Sequence, residues 1–299
     1  MNLFSLLDRL SAADASSDAA PRRHLLRQLG QAGVWAAAAA LPLALAAPAH
    51  AAPTATPLDG IELLVRLEDM LVAFYTQALA APALTAPAAA TARPDFVRLL
   101  SQQQNHAEFW RSVFSAAGLT PPAPRSVDTF DFSGRNNNPD DPELFPDVMT
   151  SYPAFLQLAQ QLEDASASIY LGQVPAFNGD KQLLEAVLRL QIVEARHASH
   201  VRTLRRTTAA DAVAVKSWPS KVDPAVTSAV LVPSPVSGTA APVSIYSFEA
   251  KETQIVGTSE VPFLAVLTGS TAVQYSALSE AFDEPLPTRQ ATALLDLFS

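Results

Sequence analysis

Four segments of this chain carry apolar residues at the three- and four-residue spacing of an α-helix, and polar residues interrupt each apolar stripe about midway. We predict these helices at about residues 57–79, 94–117, 152–173 and 180–206. A lone carboxylate on the buried face of a helix costs several kcal/mol unless it is paired or bound to a metal. We therefore expect the four interruptions to meet at the centre of one bundle.

The interrupting residues are of the types that bind metal ions. They are Glu68 in the first segment, Gln103 and His106 in the second, Glu163 in the third, and Glu194 and His197 in the fourth. Glu194 and His197 form a Glu-x-x-His motif, which places both side chains on one face of a helix, one turn apart. His200 lies about 60° around the helix from His197, so we place it outside the ligand set.

The connections between the segments predict the topology. Residues 80–93 and 174–179 are short links, which suit antiparallel neighbours, whereas residues 118–151 form one long crossover. This is the pattern of a mainly α four-helix bundle built from two hairpins. Residues 207–299 change in composition. We predict a C-terminal extension there, packed on the bundle, with irregular and extended segments and further helices at about 261–282 and 288–298.

The N-terminus has the features of an export signal. Arg22-Arg23 precedes an Ala-rich stretch, and Ala49-His50-Ala51 has the form of a cleavage site. We predict a twin-arginine-type signal over residues 1–51, a mature bundle domain over 52–206 and a periplasmic or other extracytoplasmic location in a bacterium. The alternative is an uncleaved anchor, but the apolar stretch is shorter than the ~20 residues of a membrane span and contains Pro42. We expect no stable membrane insertion after cleavage.

Charge and cysteine content restrict the partners and the ligands. Without the predicted signal, the chain has 16 basic and 26 acidic residues, which argues against nucleic acids and anionic membranes as partners. The chain has no cysteine, so any metal must be held by oxygen and imidazole nitrogen. Such ligands suit iron or manganese, and also zinc. Oligomeric state stays open, including a homo-oligomer.

The chain resembles the ferritin-like superfamily, and more closely the bacterial ferritin-like domain proteins that are related to plant desiccation-related proteins. The matching segments are Leu67-Glu68 with Phe74-Tyr75, Gln103-x-x-His106-x-x-Phe109, Leu162-Glu163 with Tyr170, Glu194-x-Arg196-His197, and Glu280 to Leu286. The resemblance covers roughly residues 58 to 298. It implies a ferritin-like bundle in which two helices each give one glutamate and two helices each give a Glu-x-x-His motif.

Carried over, this pattern implies that Glu68, His106, Glu163, Glu194 and His197 are metal ligands. Gln103 stands where the family has glutamate and is a doubtful ligand, because an amide oxygen binds metals more weakly than a carboxylate and cannot bridge two of them. We therefore expect one or two ions, or none. Each glutamate could also be a structural core residue, and His106, beside Gln103, could be a core histidine with satisfied hydrogen bonds. Tyr75 and Tyr170 either hydrogen-bond the carboxylates or are plain core aromatics, and we favour the second interpretation. We place Arg202, solvated or paired, and Tyr246 at the surface.

These observations leave three functions open, and whether the chain is an enzyme is undecided. The first is an exported metal protein that reacts with oxygen or peroxide in stress protection, with no catalytic residue assigned. The second is a metal-free structural or desiccation-stress protein, in which the same side chains close a hydrogen-bond network. The third, a catalase of the dimanganese type, is disfavoured by the missing fourth carboxylate at Gln103.

Overall fold

The computed structural model describes residues 56–135, 140, 142–208, 215–220, 231–233, 242–246, 253–256, 259–262 and 283–299. Four long helices lie in this part of the chain: α1 (Pro57–Ala80), α2 (Arg93–Ala116), α3 (Tyr152–Gln173) and α4 (Lys181–Thr208). Their ends differ from the predicted ones by no more than two residues, so the mainly α prediction is confirmed. The predicted export signal lies outside the described residues.

Local sequence signals fix where the helices begin and end. At the start of α1, the Thr56 side chain accepts a hydrogen bond from the Asp59 amide (3.2 Å), and the Asp59 side chain accepts one from the Thr56 amide (2.9 Å). This capping box satisfies amides that have no partner inside the helix. Asp180 does the same for α4 by accepting from the amides of Gln182 and Leu183. Gly118, at φ +74°, follows α2 in the left-handed conformation that ends many helices.

The bundle consists of two helical hairpins. Helix α1 packs along α2, and α3 packs along α4, while α1 and α3 touch across the centre. The crossover between the hairpins brings Phe132 and Phe145 against Phe298, with ring centroids 5.6 and 5.8 Å apart. Phe298 directly follows helix α5 (Thr288–Leu297), which packs on α1 and α3. The short helix predicted at about 288–298 is therefore confirmed.

The extension also contains two antiparallel strand pairs. Strand β1 (Leu231–Pro233) pairs with β2 (Pro242–Ser244), and β3 (Thr253–Val256) pairs with β4 (Ser259–Pro262). The extended segments agree with the sequence prediction. The start of the helix predicted at 261–282 is wrong, because Val261 and Pro262 lie in β4, and its remainder lies almost wholly outside the described residues. The β-branched residues near this point favour a strand over a helix.

A buried polar cluster attaches the extension to the bundle. Asp164 on α3 accepts hydrogen bonds from Arg202 on α4 (2.9 Å) and from the hydroxyl of Tyr246 (2.6 Å). Arg202 is 0% exposed and Tyr246 is 4% exposed, so the interpretation of these two residues as surface residues is wrong. An arginine can be buried here because its charge is paired with a carboxylate and its N–H groups are satisfied. Among the described helices, none is both long enough and apolar enough to cross a membrane.

Candidate metal centre

The polar residues that interrupt the four apolar stripes meet in the middle of the bundle. All six are buried, with exposed fractions of 0 to 5%: Glu68, Gln103, His106, Glu163, Glu194 and His197. His200 does not join them; it lies on the surface, 3.2 Å from Asp95. The structure thus brings together every residue of the predicted ligand set, and their metal binding stays a prediction.

The ligand atoms form two groups that share one carboxylate. Glu68, His106 and Glu194 offer oxygen and nitrogen atoms that all lie within 4.8 Å of one another. Glu163, Glu194 and His197 form a second such group. We call these the first position and the second position. Glu194 belongs to both, so its two oxygens can face different ions.

Two tyrosines hold the outer carboxylates. The hydroxyl of Tyr75 on α1 donates a hydrogen bond to Glu163 Oε1 on α3, and the hydroxyl of Tyr170 on α3 donates to Glu68 Oε1 on α1. Trp110 Nε1 donates in turn to the Tyr170 hydroxyl at 2.8 Å. The alternative that the two tyrosines hydrogen-bond the carboxylates is therefore confirmed, and the favoured interpretation as plain core aromatics is wrong. Each hydroxyl thus fixes one carboxylate oxygen. The other oxygen of Glu163, Oε2, lies 3.6 Å from His197 Nδ1, whereas for Glu68 the tyrosine-bonded Oε1 lies 3.7 Å from His106 Nδ1.

Gln103 lies between the two positions. Its Nε2 donates to Glu194 Oε2 at 3.0 Å and lies 3.4 Å from His197 Nδ1, whereas its Oε1 lies 3.0 Å from His106 Nδ1. The opposite amide orientation would place two oxygens 3.0 Å apart, so the hydrogen-bond network fixes this one. The amide oxygen consequently faces the first position and the amide NH₂ faces the second.

Two residues that sequence reasoning missed also contact the centre. Gln102 Oε1 accepts from His197 Nε2 at 2.6 Å, which directs His197 Nδ1 towards the carboxylates. Ser166 on α3 donates from its hydroxyl to Glu194 Oε2 at 3.0 Å. Ser166 follows Glu163 by three residues and lies on the same helical stripe, which was the available signal. Gln102 gave no such signal, because it lies beside the stripe of α2.

Three carboxylate oxygens in the centre have no hydrogen-bond partner. They are Glu68 Oε2, Glu163 Oε2 and Glu194 Oε1, all buried. Glu194 Oε1 lies 2.8 Å from His106 Nδ1 but is not aligned to accept its proton. Buried carboxylate oxygens without donors are costly, and a cation among them removes that cost. The residues therefore fit a metal ion of the kind that oxygen and imidazole ligands bind.

The buried glutamates of the centre raise the pKa values of both histidines. Burial opposes the charge on His106, but Glu68 and Glu194 outweigh it and raise its pKa to about 9. Burial likewise opposes the charge on His197, while Glu194 and Glu163 raise its pKa to about 10. Without a metal, both imidazoles therefore hold an extra proton at neutral pH. The two imidazolium groups then partly neutralise three carboxylates.

The carboxyl groups respond unequally to these charges. Burial and the neighbouring Glu194 raise the pKa of Glu68 to about 7, and burial raises the pKa of Glu163. Burial also opposes the charge on Glu194, but its contacts with His197 and His106 hold its pKa well below the ordinary value. Glu194 is thus the fixed anion of the centre, which suits its place between the two positions.

The ferritin-like domain family matches residues 58–207, just over half of the 299-residue chain. The match runs from the second residue of α1 to the penultimate residue of α4, so it contains the whole metal-binding candidate set. A search of curated proteins found no match to the chain. The resemblance noted from the sequence at the level of the superfamily is confirmed by the family match.

Proposed function

This chain belongs to the ferritin-like domain family, and from that premise we propose that it is an exported protein whose bundle centre binds iron or manganese and consumes oxygen or peroxide. The observation that carries the proposal is the set of three buried carboxylate oxygens without donors, next to two imidazole nitrogens. A cation bound among these oxygens would give each of them a partner that the hydrogen bonds of the centre do not provide. When bound, iron or manganese would supply one-electron chemistry towards a small oxidant.

The chain's own residues would prepare the site for that ion. Glu68, His106 and Glu194 would hold it at the first position, and Glu163, Glu194 and His197 would hold one at the second. Tyr75 and Tyr170 keep the outer carboxylates in place. Burial and the adjacent carboxylates raise the pKa of both tyrosines well above 10, so their hydroxyls keep their protons and remain donors. Both tyrosine side chains are fully buried.

We also propose that the protein is exported and acts in stress protection. The predicted twin-arginine-type signal over residues 1–51 supports an extracytoplasmic location, because this route exports proteins that are already folded and can therefore bind their metal beforehand. A ligand set of carboxylates and imidazoles without thiolate supports iron or manganese, with zinc as the redox-inactive competitor. The resemblance to desiccation-related proteins supports a role in stress protection.

Metal analysis tests the proposal. The protein is purified through its own export route, and iron, manganese and zinc are measured per chain for the wild type and for Glu194→Ala. We expect a near-stoichiometric metal in the wild type and its loss in Glu194→Ala, because that carboxylate serves both positions. Glu185→Ala, an exposed glutamate of the same helix that pairs with Arg189, is the matched control and should keep the metal. A wild type without any of the three metals would refute the proposal.

A second function is favoured by Gln103. Its amide hydrogen-bonds to Glu194 and lies against both histidines, so it joins the two positions in one network without a metal. A structural stress protein on the same fold would need no more. This alternative predicts that a chelator leaves the melting temperature unchanged, whereas a bound metal makes it fall by several °C on chelation. Added peroxide should release no burst of oxygen in either case, and such a burst would instead support a dimanganese catalase.

A further inference from the structure

We infer that Gln103 and Ser166 make the two positions unequal, so that one divalent ion binds tightly at Glu68, His106 and Glu194 while the position at Glu163 and His197 stays without a tightly bound ion. This inference rests on the proposed function, because it requires that the centre binds metal. The first position is then the single dominant site, and Gln103 and Ser166 close the second position.

The two hairpins are nearly equivalent around the centre, which makes their differences informative. Glu68 and Tyr75 on α1 are seven residues apart, as are Glu163 and Tyr170 on α3, and each tyrosine bonds the glutamate of the other helix. Gln103 and His106 on α2 have the same spacing as Glu194 and His197 on α4. A centre with strict two-fold equivalence would bind two ions alike.

Three differences between the hairpins break this equivalence. Gln103 replaces the carboxylate that Glu194 provides on the other hairpin. Ser166 lies three residues after Glu163, where the other hairpin has Leu71 three residues after Glu68. Trp110 donates to Tyr170, whereas the corresponding residue on α4, Val201, has no donor. Two of these changes, Gln103 and Ser166, act on the same atom of the shared carboxylate.

That atom is Glu194 Oε2, the oxygen on the side of the second position. It accepts hydrogen bonds from Gln103 Nε2 and from the Ser166 hydroxyl, both at 3.0 Å. A carboxylate oxygen has two lone pairs, and both are engaged here. An ion at the second position would have to displace one of these donors, and it would also face the NH₂ group of Gln103. The second position therefore keeps only Glu163 Oε2 and His197 Nδ1 as ready ligands.

The first position has the opposite character. Glu68 Oε2 and Glu194 Oε1 are buried without donors, His106 Nδ1 lies 2.8 Å from Glu194 Oε1, and Gln103 turns its oxygen to the same side. These are three oxygens and one nitrogen. Two carboxylates balance the charge of one divalent ion, whereas Glu163 alone does not. Carboxylate, amide oxygen and imidazole together suit Mn²⁺ or Fe²⁺.

Titration of the metal-free full-length protein with Mn²⁺ tests the inference, with binding followed by calorimetry and by the electron paramagnetic resonance signal of bound Mn²⁺. We expect one tight equivalent and the hyperfine-split signal of an isolated ion. His106→Ala should weaken that equivalent by more than the roughly 10- to 100-fold that loss of an outer hydrogen-bond partner costs. His197→Ala, the equivalent change on the other hairpin, should weaken it by clearly less than His106→Ala does, because His197 contacts the shared Glu194 but is not a ligand of the first position. His200→Ala, an exposed histidine of the same helix that contacts Asp95, is the control that should leave the tight equivalent unchanged.

Gln103→Glu should add a second equivalent, because it supplies the missing carboxylate and removes the amide donor. Gln104→Glu, an exposed neighbour on the same helix, is the charge-matched control and should add none. Far-ultraviolet circular dichroism checks that each variant folds. Two equal equivalents in the wild type, or loss of tight binding in His197→Ala with retention in His106→Ala, would overturn this inference alone. A wild type that binds no metal would overturn the proposed function and this inference with it.

Discussion

Metal binding at the first position should release protons, and the structure sets how many. The pKa of His106 is about 9, because Glu68 and Glu194 outweigh the effect of burial, and burial with Glu194 raises that of Glu68 to about 7. At pH 7.5, His106 therefore carries about one extra proton and Glu68 about a quarter of one. An ion that takes both ligands must displace them, so we expect about 1.2 protons released per metal bound.

The number should change with pH in a defined direction. At pH 6, Glu68 is about nine-tenths protonated, so the count rises to about 1.9. The apparent affinity should correspondingly fall by roughly 30-fold for each pH unit lowered near neutrality. If His197 were also displaced, its pKa of about 10 would add nearly one further proton at either pH.

Titration calorimetry in buffers with different ionisation enthalpies measures this count directly. The slope of the observed heat against the buffer's ionisation enthalpy is the number of protons exchanged. A slope near zero at both pH values would show that the imidazole is already neutral in the metal-free protein, and the ion-pair reasoning would be refuted. A slope of about 2.2 at pH 7.5 would mean that both histidines lose their protons.

Three further predictions concern stability. Asp164→Ala removes the carboxylate partner of buried Arg202 and should lower the free energy of unfolding by about 3–5 kcal/mol. The melting temperature should fall by on the order of 10 °C, with or without chelator. An equal fall in the exposed control Glu185→Ala would contradict this prediction. A Cβ at Gly172 would lie 2.2 Å from the Leu286 carbonyl oxygen, so Gly172→Ala should displace the segment 283–287 and lower the free energy of unfolding by about 1–3 kcal/mol. Limited proteolysis should then cleave this segment faster, and a cleavage rate equal to that of the wild type would refute the close approach. The raised pKa values of His106 and His197 mean that their ion pairs stabilise the metal-free protein fully below about pH 6.5 and are lost as pH rises through 9 to 10. The melting temperature of the metal-free protein should therefore fall as pH rises over this window. A melting temperature that does not change with pH there would contradict the ion pairing.

The bundle could be predicted from the sequence because its signals are local. Helical periodicity depends on residues within a few turns, and the caps at Thr56 and Asp180 lie next to the helices they begin. The carboxylates and histidines were predictable for a related reason: a charged residue in an apolar stripe has few ways to be satisfied except by meeting others. Their assembly at one height follows from four helices of similar length.

The remaining features depend on how the helices are rotated against one another. Tyr75 and Tyr170 looked like core aromatics, because nothing within their own helices shows that each hydroxyl reaches a glutamate 88 or 102 positions away. The roles of Gln102 and Ser166 likewise arise only across helix interfaces. Arg202 looked like a surface residue, because its carboxylate partner lies on α3, 38 positions earlier. Sequence patterns along one helix cannot predict such pairs.

Gln103 links the metal-bound and metal-free properties of the centre through charge. Without metal, two imidazolium groups partly neutralise three carboxylates, and the neutral amide adds hydrogen bonds at no cost in charge. A glutamate at this position would add a fourth buried negative charge with no further cation to pair it, which costs several kcal/mol.

Gln103→Glu should therefore have opposite effects on the two states. The metal-free variant should melt below the wild type, and the variant saturated with Mn²⁺ should melt above it, because a second ion then contributes its binding free energy to folding. Differential scanning calorimetry with and without Mn²⁺ measures both, with Gln104→Glu as the control for a charge added at the surface. If the metal-free variant is more stable than the metal-free wild type, then the metal-free centre lacks negative charge, and the neutral amide of Gln103 does not stabilise it.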